Sequence, residues 1–207
     1  MKKAIVCLAA ITLLALAGCR STVAGVAVVA RGNGWTASGL EGPVPGPAAC
    51  HYRRAADGFL LPDPACTPGA VNASVSVTAL CRSGPARPPL RLTEPFKDAV
   101  EHAYHDPYPT SRTELDHLIP LELGGASDTR NLWPEPDQGS PAQFDPSDPY
   151  GSNAKDGVED RLHTAVCAGR VDLAAVQAAI ATDWTTALVR LGLSAQPGGA
   201  DDGETVE

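Results

Sequence analysis

The sequence predicts an α+β domain in which helices outweigh a small two-stranded element. Three segments carry apolar residues at helical spacing, whereas two short apolar runs have the length and the proline boundaries of strands. The extended runs cover residues 114–119, closed by Pro120, and residues 131–133, closed by Pro134. The turn signal Gly124-Gly125 lies between them.

Each of the three helical patterns has a residue suited to cap its first turn. Thr93 precedes the first pattern, Asn153 the second and Asp172 the third, and these residue types accept hydrogen bonds from free backbone N–H groups. The second helix is expected over residues 154–168, with Gly169 at its end. The apolar positions that define the patterns are Phe96, Val100 and Tyr104, then Val158, Leu162 and Val166, then Val176, Ile180, Trp184 and Leu188.

Residues 1–18 have the pattern of a bacterial export signal. Lys2-Lys3 precedes an apolar stretch over residues 4–18. As a helix that stretch would rise about 22 Å, less than the roughly 30 Å hydrocarbon core of a bilayer, so a cleaved signal is favoured over a membrane span. The sequence Leu16-Ala17-Gly18-Cys19 resembles a lipobox, which implies that Cys19 is the lipidated first residue of the mature chain. The protein is therefore expected on the outer face of the cytoplasmic membrane, or extracellular if an ordinary signal peptide is cut nearby.

Composition divides the mature chain into three parts. Residues 19–64 are mostly Gly, Ala, Pro and Val without sustained periodicity, which indicates a flexible tether that begins at the lipidated cysteine. Residues 65–192 have the commonest length of one folded domain. Residues 193–207 contain Pro197-Gly198-Gly199 and an acidic end, and are expected to be a disordered tail.

Four cysteines remain for the mature domain, and in an exported chain they are expected to form two disulfides. These cysteines are Cys50, Cys66, Cys81 and Cys167. Four cysteines allow three pairings, and the sequence does not choose among them. A zinc site is the competing interpretation, but none of the four belongs to a C-x-x-C pair. A hydrolase with a cysteine nucleophile is a further, weaker alternative.

The acidic composition limits the kinds of partner that the chain can bind. The formal net charge is −8, and the loss of Lys2 and Lys3 with the signal would make it −10. Proteins that hold phosphate backbones unspecifically usually present a basic face. Any such face on this protein must therefore be local.

The most informative stretch is Glu114-Leu115-Asp116-His117-Leu118-Ile119-Pro120-Leu121-Glu122-Leu123-Gly124-Gly125, followed by Asn131-Leu132-Trp133-Pro134. It resembles the HNH endonuclease family, in which a strand ends in Asp-His or His-His, a Gly-rich turn follows, a second strand bears Asn, and a helix adds one more polar ligand. The resemblance covers residues 114 to about 168. It implies a small ββα-metal core with additional helices, here stabilised by disulfides.

The resemblance assigns separate chemical roles to the Asp-His pair. Asp116 can bind a hard divalent cation, with Mg²⁺ favoured and Mn²⁺ or Zn²⁺ as alternatives. His117 is the natural general base, because a neutral imidazole with a pKa of about 6.5 can take a proton from water at neutral pH. Asn131 is expected either to hold the two strands together through its amide or to join the metal shell.

The third metal ligand is expected on the helix that follows. Asp156, Glu159 and His163 are spaced by three and four residues and so share one helix face. The family position is most often His or Asn, which favours His163. Arg130 and Lys155 are candidates for phosphate contacts because of their charge and proximity.

The sequence therefore predicts a metal-dependent endonuclease that hydrolyses phosphodiester bonds, with DNA favoured over RNA as substrate. The alternative from another class is a degenerate HNH fold that serves as a binding or structural module of the envelope. The helix ligand discriminates between them, since a working site needs a further polar group that reaches a metal held by Asp116.

Overall fold

In the computed structural model, the described residues form short paired strands and separate helices. The structure describes Ala27–Val29 as backbone and residues 33–137 and 153–193 in full. The expected signal peptide, Cys19 and nearly all of the acidic tail lie outside these ranges. The strands are β1 (Ala27–Val29), β2 (Trp35–Thr36), β3 (Gly39–Leu40), β4 (Arg53–Arg54), β5 (Leu60–Leu61), β6 (Ala70–Asn72), β7 (Thr113–His117) and β8 (Leu132–Pro136). The helices are α1 (Val77–Ser83), α2 (Leu90–Tyr104), α3 (Ala154–Cys167), α4 (Leu173–Asp183) and α5 (Ala187–Arg190).

The described residues thus form a mixed fold of helices and small sheets, as the sequence predicts at this coarse level. β1 pairs with β6 in parallel, whereas β2–β3, β4–β5 and β7–β8 are antiparallel pairs. The two extended runs of the sequence analysis correspond to β7 and β8. They pair in the register Asp116 opposite Trp133 and His117 opposite Leu132.

β8 continues through Pro134, where the sequence analysis expected it to stop. The Leu118 N–H donates to the Asn131 carbonyl oxygen at 2.8 Å, which marks that pair as hydrogen-bonded in the antiparallel alternation. Pro134 and Pro136 then fall at the alternate positions, whose backbone nitrogens face away from β7. A proline is tolerated there because no ladder hydrogen bond is lost.

The helices begin close to their expected caps, with one correction. The Asp172 side chain accepts from the Ala175 N–H at 3.1 Å, and Asn153 occupies the N-cap position of α3 without a side-chain cap bond. α2 instead begins after Pro89, and Thr93 lies inside the helix with its hydroxyl donating to the Leu90 carbonyl. Proline can occupy this position because its φ of −61° already suits entry into a helix.

A single large core joins the helices to the β7–β8 hairpin. Trp133 is fully buried and lies edge-on to Tyr52 with ring centroids 6.2 Å apart. The helical patterns supply Val100, Leu162 and Ile180, each at most 2% exposed. Leu162 of α3 therefore belongs to the same buried cluster as Leu132 and Trp133 of the hairpin.

Two disulfide bonds cross-link the folded domain, as the sequence predicts. Cys50 pairs with Cys66, and Cys81 pairs with Cys167. The second bond ties α1 to the last residue of α3 across 86 residues of sequence, which closes a long loop in the unfolded chain.

Packing begins earlier in the chain than the domain boundary expected at residue 65. Cys50, Leu60 and Leu61 are buried in the core, and the Cys50 N–H donates to the Ala103 carbonyl at 3.0 Å. The described part of the expected tether, residues 33–64, therefore contributes to the folded body. Composition alone suggested a tether because the segment lacks periodicity. In the structure, a disulfide and backbone hydrogen bonds hold the segment on the domain.

Candidate active site

Asp116 and His117 lie at the end of β7 and both line a cavity of about 530 Å³. Neighbouring side chains of a regular strand point to opposite faces, and the backbone bends at Leu118 and Ile119, directly after β7. The bend is completed by the turn around Gly125, where an added Cβ would lie 1.8 Å from the Ile119 carbonyl oxygen. Only glycine allows this close approach of two backbone segments.

The His117 imidazole is held in place and is neutral at physiological pH. Its Nε2 lies 2.9 Å from the hydroxyl oxygen of Ser127, which is fully buried. Burial lowers the pKa of His117 to about 4, although the neighbouring Asp116 carboxylate opposes this shift. In the tautomer that carries its proton on Nε2, this nitrogen donates to Ser127 and Nδ1 is the ring nitrogen without a proton.

Lys155, a candidate for phosphate contact in the sequence, lies fully buried beside Asp116 and His117. Its ammonium donates to Asp116 Oδ2 at 2.6 Å, to the His117 carbonyl at 3.0 Å and to Glu159 Oε1. Burial alone would lower the pKa of Lys155, but the surrounding carboxylates raise it well above its usual value. The buried ammonium therefore stays charged, and the expectation of a phosphate contact is corrected to an internal ion pair.

Asp116 is fixed from two sides. Besides Lys155, the indole Nε1 of Trp133 donates to Asp116 Oδ2 at 2.9 Å. Trp133 lies directly across the hairpin from Asp116, so the strand register itself supplies this donor. The carboxylate is thus oriented by two buried groups before any ligand binds.

Further carboxylates crowd the same cavity. Glu114, Glu122, Asp156 and Glu159 line it together with Asp116. Desolvation at the cavity wall and the nearby charge of Asp116 raise the pKa values of Glu114 and Asp156. Such mutual repulsion is relieved when a cation binds.

Asn131 lies fully buried, and its side-chain amide bonds backbone groups. The amide nitrogen donates to the carbonyls of Ile119 and Ala126, both at 2.9 Å. The amide oxygen accepts from the N–H groups of Ile119 at 2.9 Å and Ala70 at 3.3 Å. Of the two roles weighed for Asn131, these contacts are those of a residue that holds the hairpin and its turn together.

His163 does not join Asp116 in the cavity. Its Nε2 lies 3.4 Å from the sulfur of Cys167, next to the Cys81–Cys167 disulfide. In the described ranges, only Cys81, His163 and Cys167 form a group of three or more such side chains with ligand atoms within 4.8 Å of one another. This group could bind a metal ion, but its two sulfurs are joined in the disulfide. Of the three helix candidates, Asp156 and Glu159 are the ones that line the cavity with Asp116.

The basic side chains near the site differ in their availability. Arg130 is held by Asp128: its Nε donates to Oδ1 and its Nη2 donates to Oδ2, both at 2.7 Å. Arg87 and Lys97 form the basic part of the cavity wall. Arg87 is exposed, and within the described residues it has no ion-pair partner.

Sequence reasoning missed Ser127, Glu135 and Arg87. Ser127 follows the Gly-Gly turn by two residues, so its position beside the Asp-His pair carried a usable local signal. Glu135 is 1% exposed, and the strand pattern gave no sign of it because Pro134 hid the continuation of β8. Arg87 precedes the motif by almost 30 residues and reaches the cavity only through the tertiary fold.

Comparison with known proteins gives no relative from which a family could be assigned. No family model, no curated protein and no solved structure matches this chain. Among the described residues, no helix has both the length and the apolar character needed to cross a bilayer.

Proposed function

We propose that the chain is a metal-dependent phosphodiesterase of the HNH type that cuts nucleic acid, DNA in preference to RNA, outside the cytoplasmic membrane. One observation carries the proposal: the neutral imidazole of His117 and the oriented carboxylate of Asp116 share one cavity with further carboxylates. The chain order β7, β8, α3 supports it, since it is the strand, strand and helix order of the ββα-metal core that the resemblance implies.

The donor atoms around the cavity fit a hard divalent cation. Carboxylate oxygens are the ligands that Mg²⁺ and Mn²⁺ prefer, and Glu122 Oε1 is a buried oxygen with no hydrogen-bond partner in the described ranges. Asp116 and Asp156 are the residues that would hold the ion. The oxygens do not form a preformed cage of three carboxylates, so the ion would keep several water ligands, as Mg²⁺ usually does. Bound there, it would supply positive charge to the phosphate.

The chain's own groups would carry the proton and position the reactants. His117 would take a proton from the attacking water at Nδ1, while Ser127 holds the opposite ring nitrogen. Lys155 would keep Asp116 and the His117 backbone in fixed positions. A phosphate bound in the cavity would raise the low pKa of His117, because a negative charge stabilises the imidazolium that forms.

The charge distribution agrees with a local contact to nucleic acid. Arg87 and Lys97 place two positive side chains at the cavity, whereas the chain as a whole has a net charge of −8. Two cations can hold the phosphates next to the cleaved bond but cannot follow a long duplex. We therefore expect weak binding with a shallow salt dependence, because the dependence grows with the number of phosphates that the protein neutralises.

A degenerate HNH fold that serves as an envelope binding module is the second candidate function. It is favoured by the ammonium of Lys155, which already compensates Asp116 and Glu159. In that case the cavity would bind a cation or phosphate without turnover. An activity assay separates the two candidates.

The assay that tests the proposal uses the purified mature protein with plasmid DNA and with RNA. Each substrate is incubated with Mg²⁺, Mn²⁺, Zn²⁺ or a chelator. We expect cleavage with Mg²⁺ or Mn²⁺ and none with the chelator, and faster loss of DNA than of RNA. Intact DNA and RNA under every metal condition would contradict the phosphodiesterase function and favour the binding module.

The proposed location depends on Cys19, which lies outside the described residues. If Cys19 carries the lipid, then Cys19→Ser should abolish the incorporation of labelled fatty acid, and it should either release the protein from the membrane fraction or stall its processing. Cys7→Ser, within the expected signal, is the matched control and should label normally. Labelled fatty acid in the Cys19→Ser protein would show that the lipobox interpretation is wrong.

A further inference from the structure

The ammonium of Lys155 lies between β7 and α3 and is surrounded by oxygen atoms of both elements. Three oxygens surround it, from the Asp116 carboxylate at 2.6 Å, the His117 carbonyl at 3.0 Å and the Glu159 carboxylate. Two carboxylates and a backbone carbonyl are also a typical ligand set of a hard divalent cation. These oxygens come from two separate elements. A cation that binds all three therefore links α3 to β7.

This position requires a positive charge. Glu135 lies beside Asp116 and Lys155, is 1% exposed, and its Oε1 has no hydrogen-bond partner among the described residues. Three acidic groups therefore face one ammonium. Glu135 is fully buried, whereas the side chains of Asp116 and Glu159 are 15% and 12% exposed, where they line the cavity. Removal of that ammonium would leave buried anions without compensation, which is among the costliest changes in a protein interior.

We propose that Lys155 is a fixed internal cation that takes the place of a second divalent ion and limits the site to one metal ion, held from the cavity side. The inference rests on the proposed function only in assuming that one metal ion binds in the cavity. The position held by Lys155 can be tested without any assay of turnover.

The proposal makes Lys155 a positioning residue for Asp116 and His117. A covalently attached cation occupies its place at every metal concentration, so the Asp-His pair would stay ordered when the cavity ion dissociates. A metal ion in the same place would leave at low metal concentration and would release α3 from β7.

Counting bound Mn²⁺ by equilibrium dialysis and by electron paramagnetic resonance on the purified full-length mature chain tests this inference. Wild type should bind at most one Mn²⁺ per chain in the cavity, and Lys155→Met should bind one more than wild type. Lys155→Arg keeps a cation in place and should match wild type. Arg190→Met, on the exposed end of α5, makes the same change in net charge and should also match wild type.

The double variant Lys155→Met with Glu159→Gln should lose the additional ion, because one of its carboxylate ligands is gone. If Lys155→Met unfolds in metal-free buffer, Mn²⁺ should restore its circular dichroism and its thermal transition, whereas Arg190→Met should show no such dependence. Equal ion counts in wild type and a folded Lys155→Met protein would overturn the inference, as would an unfolded variant that Mn²⁺ does not restore. A wild type that binds no Mn²⁺ while Lys155→Met binds one would sustain the inference and remove the metal from the proposed function.

Discussion

Replacement of His117 by alanine should lower the rate of phosphodiester cleavage by a factor of about 10² to 10⁴, which is roughly 3 to 5 kcal/mol of transition-state stabilisation. The imidazole is the group placed to take the proton from water, and the metal would be held by Asp116 and Asp156, which this change leaves intact. Affinity for Mn²⁺ should therefore change little. His51→Ala, which removes an exposed imidazole from another part of the surface, should cleave like wild type.

Asp116→Asn should give the opposite pattern. The amide oxygen can still accept from Trp133, but the loss of charge weakens the hold on a divalent ion, so added metal should restore part of the activity. Comparison of kcat and of the metal concentration for half-maximal rate in both variants separates the two roles. If His117→Ala loses the metal and Asp116→Asn keeps it, then His117 is a ligand and another group activates water.

The pH profile provides an independent measurement of the same base. Burial lowers the pKa of His117 to about 4, so the base is already neutral at pH 6 and stays neutral as the pH rises. The value of kcat/KM, which reports the free enzyme, should persist at pH 6 and decline only as the pH falls toward 4, whereas an exposed imidazole would lose its base form below about pH 6.5. The profile is measured at saturating Mg²⁺, because protonation of Asp156 would otherwise weaken metal binding. An acid limb at pH 6.5 under these conditions would contradict a buried His117 as the base.

The local part of the site could be predicted from the sequence because adjacent residues encode it. The Asp-His pair, the glycine that allows the turn at Gly125 and the amide of Asn131 all lie within one hairpin. The helical patterns with Asn153 and Asp172 at their starts were also readable, since spacing and capping are properties of a few neighbouring residues.

The groups brought in by tertiary packing could not be predicted in the same way. Lysine is rarely buried, so the sequence offered Lys155 as a candidate phosphate contact, and only the structure shows the carboxylates that pair with it. His163 shares a helix face with Glu159, but it lies eight residues beyond Lys155, which is about 12 Å along the axis of α3. That displacement carries it past β7 to the disulfide of Cys167. Helical spacing predicts the direction in which a side chain points around the helix axis. Which residues it contacts also depends on its position along that axis.

Asn131→Ala should destabilise the fold more than the loss of any exposed polar side chain. The change removes four hydrogen bonds and leaves the N–H and carbonyl of Ile119 and the carbonyl of Ala126 without their partner. Ile119 and Ala126 are fully buried, so water cannot easily replace the lost bonds. An unsatisfied buried polar group costs about 1 to 3 kcal/mol, so the free energy of unfolding should fall by about 3 kcal/mol or more.

Urea denaturation followed by circular dichroism, with the disulfides intact, measures this loss as a lower midpoint at an unchanged slope. Asn72→Ala is the matched control, because the Asn72 side chain accepts only a local bond from the Ser74 N–H near the surface, and its loss should cost about 1 kcal/mol or less. Metal affinity of the folded fraction distinguishes the two roles of Asn131. If Asn131 holds the backbone, the fraction that remains folded should bind Mn²⁺ as wild type does. A stable Asn131→Ala protein that fails to bind Mn²⁺ would instead place its amide in the metal shell, since the loss would then follow the ligand and not the fold.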